Sequence, residues 1–279
     1  MSPGTLSPMS SIRGLAFDTF GTVVDWRAAV VDELTIRSYR KLLATSSDLT
    51  PTVRSRLESL DDDAWGRFAQ EWRDSYGKFT KGFDPEKDEW KTVDEHHRDS
   101  LIELLNAWEL SGLYSDTEIE SLSLVWHRLA PWDDCSRGLQ KLKAMGMKLT
   151  TLSNGNRSLL RDLVDFSPEP LPFDMLLSAE DFNVYKPHPR TYRGTVEKLL
   201  GEGCEDAKMG EVAMVAAHLG DLEAARGQGM RTVYVERERE EAWGKDEERY
   251  QKARDWVDIW IELGQGGMEA VARELEKLR

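Results

Sequence analysis

Short apolar runs punctuate the chain, each passing into a polar, glycine-bearing turn: Ile12–Phe17, Lys148–Leu152, Phe173–Leu177, Val212–Ala216 and Thr232–Val235. Runs this short, bounded by turn residues, predict buried strands. Between them the apolar period changes to three and four. Leu159, Leu160, Leu163 and Val164 follow the second run. Tyr192, Val196, Leu199 and Leu200 follow the third, opened by Pro189 and closed by Gly201, a helix start and stop. A last run, Val257–Ile261, precedes a helix through Leu278. Strands alternating with helices predict an α/β domain, a doubly wound parallel sheet covered on both faces.

More than a hundred residues separate the first two strands, and the pattern there is helical. Trp65, Phe68, Trp72, Tyr76 and Phe79 form one stripe; Trp90, Val93, His97, Leu101, Leu104 and Trp108 form another. A third helix opens on the capping-box pair Ser115 and Glu118 and continues through Ile119, Leu122, Val125 and Leu129. With a helix over Ala28–Leu43 this predicts a helical bundle, residues 26–130, inserted into a core of 12–25 and 131–279. The aromatic stripes are expected to be its interior. The charge run Glu236–Arg249 is expected to be a solvated loop or helix face.

The 279 residues carry 37 Lys+Arg against 51 Asp+Glu, a net charge of −14. So acidic a surface repels nucleic acid and anionic lipid, yet a few local cations can still bind a small anion. No stretch approaches the ~20 apolar residues of a membrane span. Cys135 and Cys204 lie far apart and outside any C-x-x-C spacing, which predicts free thiols in a reducing compartment. Residues 1–11 lack a basic n-region and an apolar h-region, so they read as a short disordered arm rather than a secretory signal. The expectation is a soluble, cytoplasmic protein.

Ligands of open parallel sheets bind at the carboxyl ends of the strands, so the polar residues after each run are the candidates. Asp18 follows the first run. Ser153, Asn154 and Gly155 follow the second and open a helix, whose free N–H groups suit an anion. Lys186, in VYKPHPR, follows the third, and Asp221, in AAHLGD, the fourth. The histidines do not assemble a metal site: His96 and His97 are adjacent on a helix and face apart.

AFDTFGTVVDW, then TLSNGN, then VYKP, then a turn ending in GD resembles the haloacid dehalogenase superfamily over nearly the whole chain, the inserted helical cap included. The resemblance implies a Rossmann-like core and a nucleophile at Asp18. Most members are phosphatases with a second Asp two residues on, which protonates the leaving alcohol. Phe20 stands there instead. A halide leaves without a proton, whereas an alkoxide needs one. The closer resemblance is therefore to the 2-haloacid dehalogenase branch, with its D-x-[aromatic]-G-T pattern, here Asp18-Thr19-Phe20-Gly21-Thr22. That branch implies attack by Asp18 with inversion, then hydrolysis of the aspartyl ester at its carbonyl. It further implies that Lys186 is the counter-charge that keeps a desolvated Asp18 ionised, and that Asp221 orients the lysine and the water. On the same resemblance Ser153, Asn154, Thr22 and Phe20 are expected to line the substrate site, with Asn154 helping to cradle the halide and Arg73, in EWRDSY, helping to hold it. No cofactor is implied. A homodimer is the analogy for assembly.

Three positions depart from the branch: Ala216 for Ser, His218 for Asn, and Gly220 for Trp. By the same resemblance all three fall around the water that would hydrolyse the ester. His218 suits orienting or deprotonating that water, or a hydrogen-bonded place in the pocket wall. Three readings follow. The first is a metal-independent hydrolase converting short (S)-2-haloacids to (R)-2-hydroxyacids. The second is a Mg²⁺-dependent phosphatase of the same superfamily, suggested by Gly220-Asp221. The third is a non-catalytic interaction protein on the same fold.

Overall fold

Six strands form one parallel sheet: β1 (Gly14–Phe17), β4 (Lys148–Ser153), β5 (Met175–Ser178), β6 (Val212–Ala216), β7 (Arg231–Val235) and β8 (Ile259–Ile261). The computed structural model describes residues 8–44, 49–61, 63–201 and 206–278. Cys204 lies outside them; Cys135 is a buried free thiol, and burial pushes its pKa up to about 12. Two further strands, β2 (Val24–Asp25) and β3 (Ala130–Pro131), form a separate two-stranded sheet.

The order in the large sheet is β5-β4-β1-β6-β7-β8. The chain runs outward one way through β4 and β5, then returns to the far side of β1 for β6, β7 and β8. β1 is thus central, with Phe17 opposite Thr151 on one side and Val215 on the other, and the topological switch lies at its carboxyl end. Leu15, Ala16 and Phe17 are inaccessible to solvent, as strands buried on both faces require. One interior cluster joins Ala16, Leu152, Met214 and Tyr234 to Tyr192, Val196 and Leu199 of the helix Pro189–Leu200. At residues 8–11 the structure corrects the expectation of a disordered arm. Residues Pro8–Ser11 make a 3-10 turn and bury Met9; residues 1–7 lie outside the described set.

The backbone separates into two compact units, Met1–Val24 with Pro131–Arg279, and Asp25–Ala130. The second contains the helices Trp26–Leu43, Pro51–Glu58, Ala64–Gly82, Val93–Ala107 and Asp116–Ser123. Its first helix starts two residues before Ala28 because the Asp25 carboxylate accepts hydrogen bonds from the backbone N–H groups of Arg27 and Ala28. Val93–Ala107 begins after Trp90 because Thr92 and Glu95 make a reciprocal capping box. Trp72 and Phe68 are fully buried, and the Trp72 indole N–H donates to the His97 carbonyl and the Ser100 hydroxyl, each at 3.1 Å. His97 stacks on Trp126 at 4.5 Å; burial holds its pKa well below the usual histidine range, so it packs as a neutral ring. No helix among the described residues is long and apolar enough to cross a membrane.

Candidate active site

Loops from five strand ends meet over the carboxyl edge of β1. Asp18, the residue after β1, is 8% exposed, and its N–H is spent on the Val215 carbonyl at 3.0 Å. Its carboxylate has three donors. Lys186 Nζ gives a hydrogen bond to Oδ1 at 2.8 Å. Thr22 Oγ1 donates to Oδ2 at 2.7 Å, and His218 Nδ1 lies 3.0 Å from the same oxygen. Burial alone would raise the Asp18 pKa; the Lys186 charge, the His218 hydrogen bond and the His218 charge overcome it and hold the carboxyl far below the usual range. Asp18 is therefore a desolvated carboxylate that remains ionised.

Lys186 is equally buried, and its ammonium also donates to Asp221 Oδ2 at 2.6 Å. Burial favours its neutral form, but two adjacent carboxylates win and raise its pKa above that of a free lysine. Asp221 stands in the first turn of the helix Leu219–Gly227, and its other oxygen accepts from the Tyr192 hydroxyl at 2.7 Å. Lys186 Nζ thus occupies the space between the Asp18 and Asp221 carboxylates, where a divalent cation shared by them would have to sit. Among the described residues no group of three or more His, Cys, Asp or Glu side chains is arranged to hold a metal ion. In this arrangement the two carboxylates share an ammonium.

The Lys186 backbone is pinned from the end of β4. Asn154 Oδ1 accepts from Lys186 N at 2.7 Å, and Asn154 Nδ2 donates to Lys186 O at 3.3 Å. The amide expected to cradle a halide is engaged in positioning the lysine. Ser153 is also buried, its hydroxyl accepting from Gly155 N at 3.2 Å. The following helix does not begin at Ser153-Asn154-Gly155. It begins at Arg157, because extended Asn156 forms the N-cap, and the Arg157 N–H is taken by the Glu180 carboxylate at 2.8 Å. Phe20 is buried and packs beside Gly155, where an added Cβ would meet its ring at 3.4 Å. No proton donor therefore stands at the position two residues after Asp18. Thr22 is fully buried and accepts from Ala217 N at 2.9 Å, tying the β1 loop to the end of β6.

His218 bridges two carboxylates: its Nε2 lies 3.1 Å from Glu240 Oε2, opposite the Asp18 contact. Burial would lower its pKa, but hydrogen bonds from the ring to Asp18 and Glu240, and their charges, push it up to about 9. The neighbouring Glu241 accepts from Leu219 N at 2.6 Å and Trp243 N at 2.7 Å, which caps the helix behind His218. Trp243 also covers the missing side chain at Gly220, approaching to 3.9 Å of an added Cβ. The segment Glu236–Arg249 is therefore not simply a solvated loop: Glu240 reaches inward with a side chain 5% exposed. Arg73 belongs to the other unit, with its guanidinium 4.6 Å from the centre of the Tyr76 ring.

Two participants escaped sequence reading. Tyr192 looked like an ordinary helix-face apolar residue, and the need of a buried tyrosine hydroxyl for a partner was the available signal. Glu240 sits among charges that resemble surface, and nothing local marks it.

A nucleophile-like carboxylate after the central strand of an α/β core, held by a lysine from a later strand end, defines a hydrolase site of the dehalogenase kind. Residues 12–229 match the haloacid dehalogenase-like hydrolase family, to which the chain belongs. The chain is 27% identical to (S)-2-haloacid dehalogenase 1 of Pseudomonas sp. (strain CBS-3) over 82% of its own length and 86% of the relative's. The crystal structure of a defluorinating L-2-haloacid dehalogenase is 28% identical, with a TM-score of 0.75, over 98% of this chain and 99% of that one. A second L-2-haloacid dehalogenase structure is 29% identical, with a TM-score of 0.73, over 95% and 99%.

Proposed function

We propose that the protein removes halide from short (S)-2-haloacids, giving (R)-2-hydroxyacids, without a metal and through an ester on Asp18. One observation carries this reading: Lys186 Nζ sits 2.8 Å from Asp18 and 2.6 Å from Asp221. A fixed ammonium keeps a buried carboxylate anionic and poorly solvated, the state a nucleophile needs to displace halide from carbon. The relatives named as (S)- or L-2-haloacid dehalogenases support the substrate class.

Asp18 attacks the halogen-bearing carbon from the side opposite the halogen. The carbon–halogen bond breaks with its electron pair going to the halide, and configuration inverts. Phe20 supplies no proton, and a departing halide needs none. Water then attacks Cγ of the ester, giving up a proton to the Asp221 carboxylate. The bond from Cγ to the substrate-bound oxygen breaks, and that oxygen leaves with the product, protonated in turn by Asp221. The regenerated Asp18 carboxyl releases the remaining proton to solvent. Each turnover yields one hydroxyacid, one halide and one proton.

The test is halide release from (S)-2-chloropropionate with chelator present. The expected result is turnover in the wild type and none in Asp18→Asn. Phosphate release from small phosphate esters that requires Mg²⁺, with no halide from any haloacid, would overturn the reading.

A further inference from the structure

The two Asp18 oxygens are not equivalent. Oδ1 has one partner, Lys186, whereas Oδ2 has two, Thr22 and His218. A carboxylate oxygen has two in-plane lone-pair directions, so Oδ2 is saturated and Oδ1 has one free for attack. On the function proposed above, the ester then forms through Oδ1, and Oδ2 becomes its carbonyl oxygen with both donors already in place.

His218 has only one protonation state consistent with its neighbours. Its Nδ1 faces an Asp18 oxygen and its Nε2 a Glu240 oxygen. Ionised carboxylates only accept, so both ring nitrogens carry hydrogen. Such a ring has no lone pair with which to deprotonate water, and its Nδ1 points at Oδ2. The groups that set its charge are Asp18 after β1 and Glu240 after β7, with Glu241 also acting on it; Lys186 after β5 and Asp221 on its own helix stand on the other side of Asp18.

The backbone is shaped around Glu240. Arg239, immediately before it, has a φ of 64°, a left-handed conformation costly for any residue with a Cβ and absorbed only where surroundings enforce it. Gly21, in the loop that carries Asp18, has a φ of 78°, and an added Cβ would collide with Glu240 Oε2.

We infer that Glu240 is a positioning residue that holds His218 as a charged donor to Asp18 Oδ2, so that His218 and the Thr22 hydroxyl form the oxyanion pocket for ester hydrolysis. When water attacks Cγ, the Cγ=Oδ2 electron pair moves onto Oδ2, and the new negative charge forms between two donors already aimed at it. Collapse returns that pair and breaks the Cγ–Oδ1 bond, with the protons travelling as described above. His218 donates a hydrogen bond throughout and transfers no proton.

The test uses the full chain in excess over (S)-2-chloropropionate, with halide followed by quench-flow and the Asp18 adduct by intact-protein mass. In His218→Gln, halide is released in a burst while the adduct decays roughly 100-fold more slowly. In the wild type, adduct decay slows as pH rises through the His218 pKa of the adduct, which lies below the resting value of about 9 because esterification removes the Asp18 charge, and the charged donor is then lost. In Glu240→Gln, which keeps an acceptor but removes the charge, that slowing moves to lower pH. Adduct decay that accelerates with rising pH over that range would make His218 a base and overturn the inference; so would a Glu240→Gln profile that coincides with the wild type. ¹⁵N NMR of the resting protein separates this from failure of the function itself. A His218 ring doubly protonated at pH 7.5 in wild type, with its titration lowered in Glu240→Gln, supports the Glu240 device whatever the substrate. A neutral ring at that pH refutes it. No halide from the wild type with any haloacid overturns the proposed function and the oxyanion role together.

Discussion

Replacing Lys186 with Met keeps most of the buried stem and deletes only the charge. The ammonium makes contacts of 2.8 and 2.6 Å to two carboxylates whose side chains are 12% and 10% exposed. Removing one partner of a buried ion pair costs about 3–5 kcal/mol, because the remaining charge is left uncompensated. Here Asp18 retains Thr22 and His218, and Asp221 retains Tyr192, which places the cost near the lower end, about 3 kcal/mol. That corresponds to a fall in Tm of roughly 6–12 °C for a chain of this size. The sign of the pH dependence follows from the same contacts. In the variant, protonating either carboxylate relieves the repulsion, whereas in the wild type Lys186 already holds Asp18 ionised. The difference in Tm should therefore be largest near pH 7.5 and shrink toward pH 4.5. Calorimetry at both pH values, with halide release on the same samples, measures it; activity should drop by at least roughly 100-fold. A variant melting within 2 °C (about 1 kcal/mol) of the wild type at pH 7.5, or a gap unchanged at pH 4.5, would refute the counter-charge argument.

Two other substitutions probe the frame around Asp18. Thr22→Val is nearly isosteric but leaves Ala217 N–H without its acceptor, so urea unfolding should show a loss of about 1–3 kcal/mol; unchanged stability would contradict the tie between β1 and β6. Gly21→Ala forces a side chain into a left-handed backbone, worth about 1–2 kcal/mol, and displaces Glu240. Its His218 should titrate below the wild-type value of about 9, and an unaltered NMR titration would argue against the close approach of Glu240 to Gly21.

The sheet was legible because parallel strands are buried on both faces and are therefore mostly apolar. Their order was not, since pairing is settled by long-range contacts. The helix Pro51–Glu58 went unread: its buried side chains are only Val53 and Leu57, too few for a stripe, and its Thr50 cap with Pro51 was the remaining cue. Asp18, Lys186 and Asp221 could be found because each follows an apolar run and the fold gathers strand ends. Asn154 was visible as a residue but not in its task, which depends on Lys186 backbone 32 positions away. Glu240 illustrates the limit most clearly. An acidic residue among acidic neighbours reads as surface until the loop after β7 turns it toward His218.

The most direct test of an Asp18 ester is a single turnover in ¹⁸O-water with enzyme in excess, followed by peptide mass spectrometry. The expected result is one ¹⁸O in the peptide containing Asp18 and unlabelled hydroxyacid. Label in the hydroxyacid, with none in the protein, would mean that water attacked the substrate carbon directly and would contradict the account.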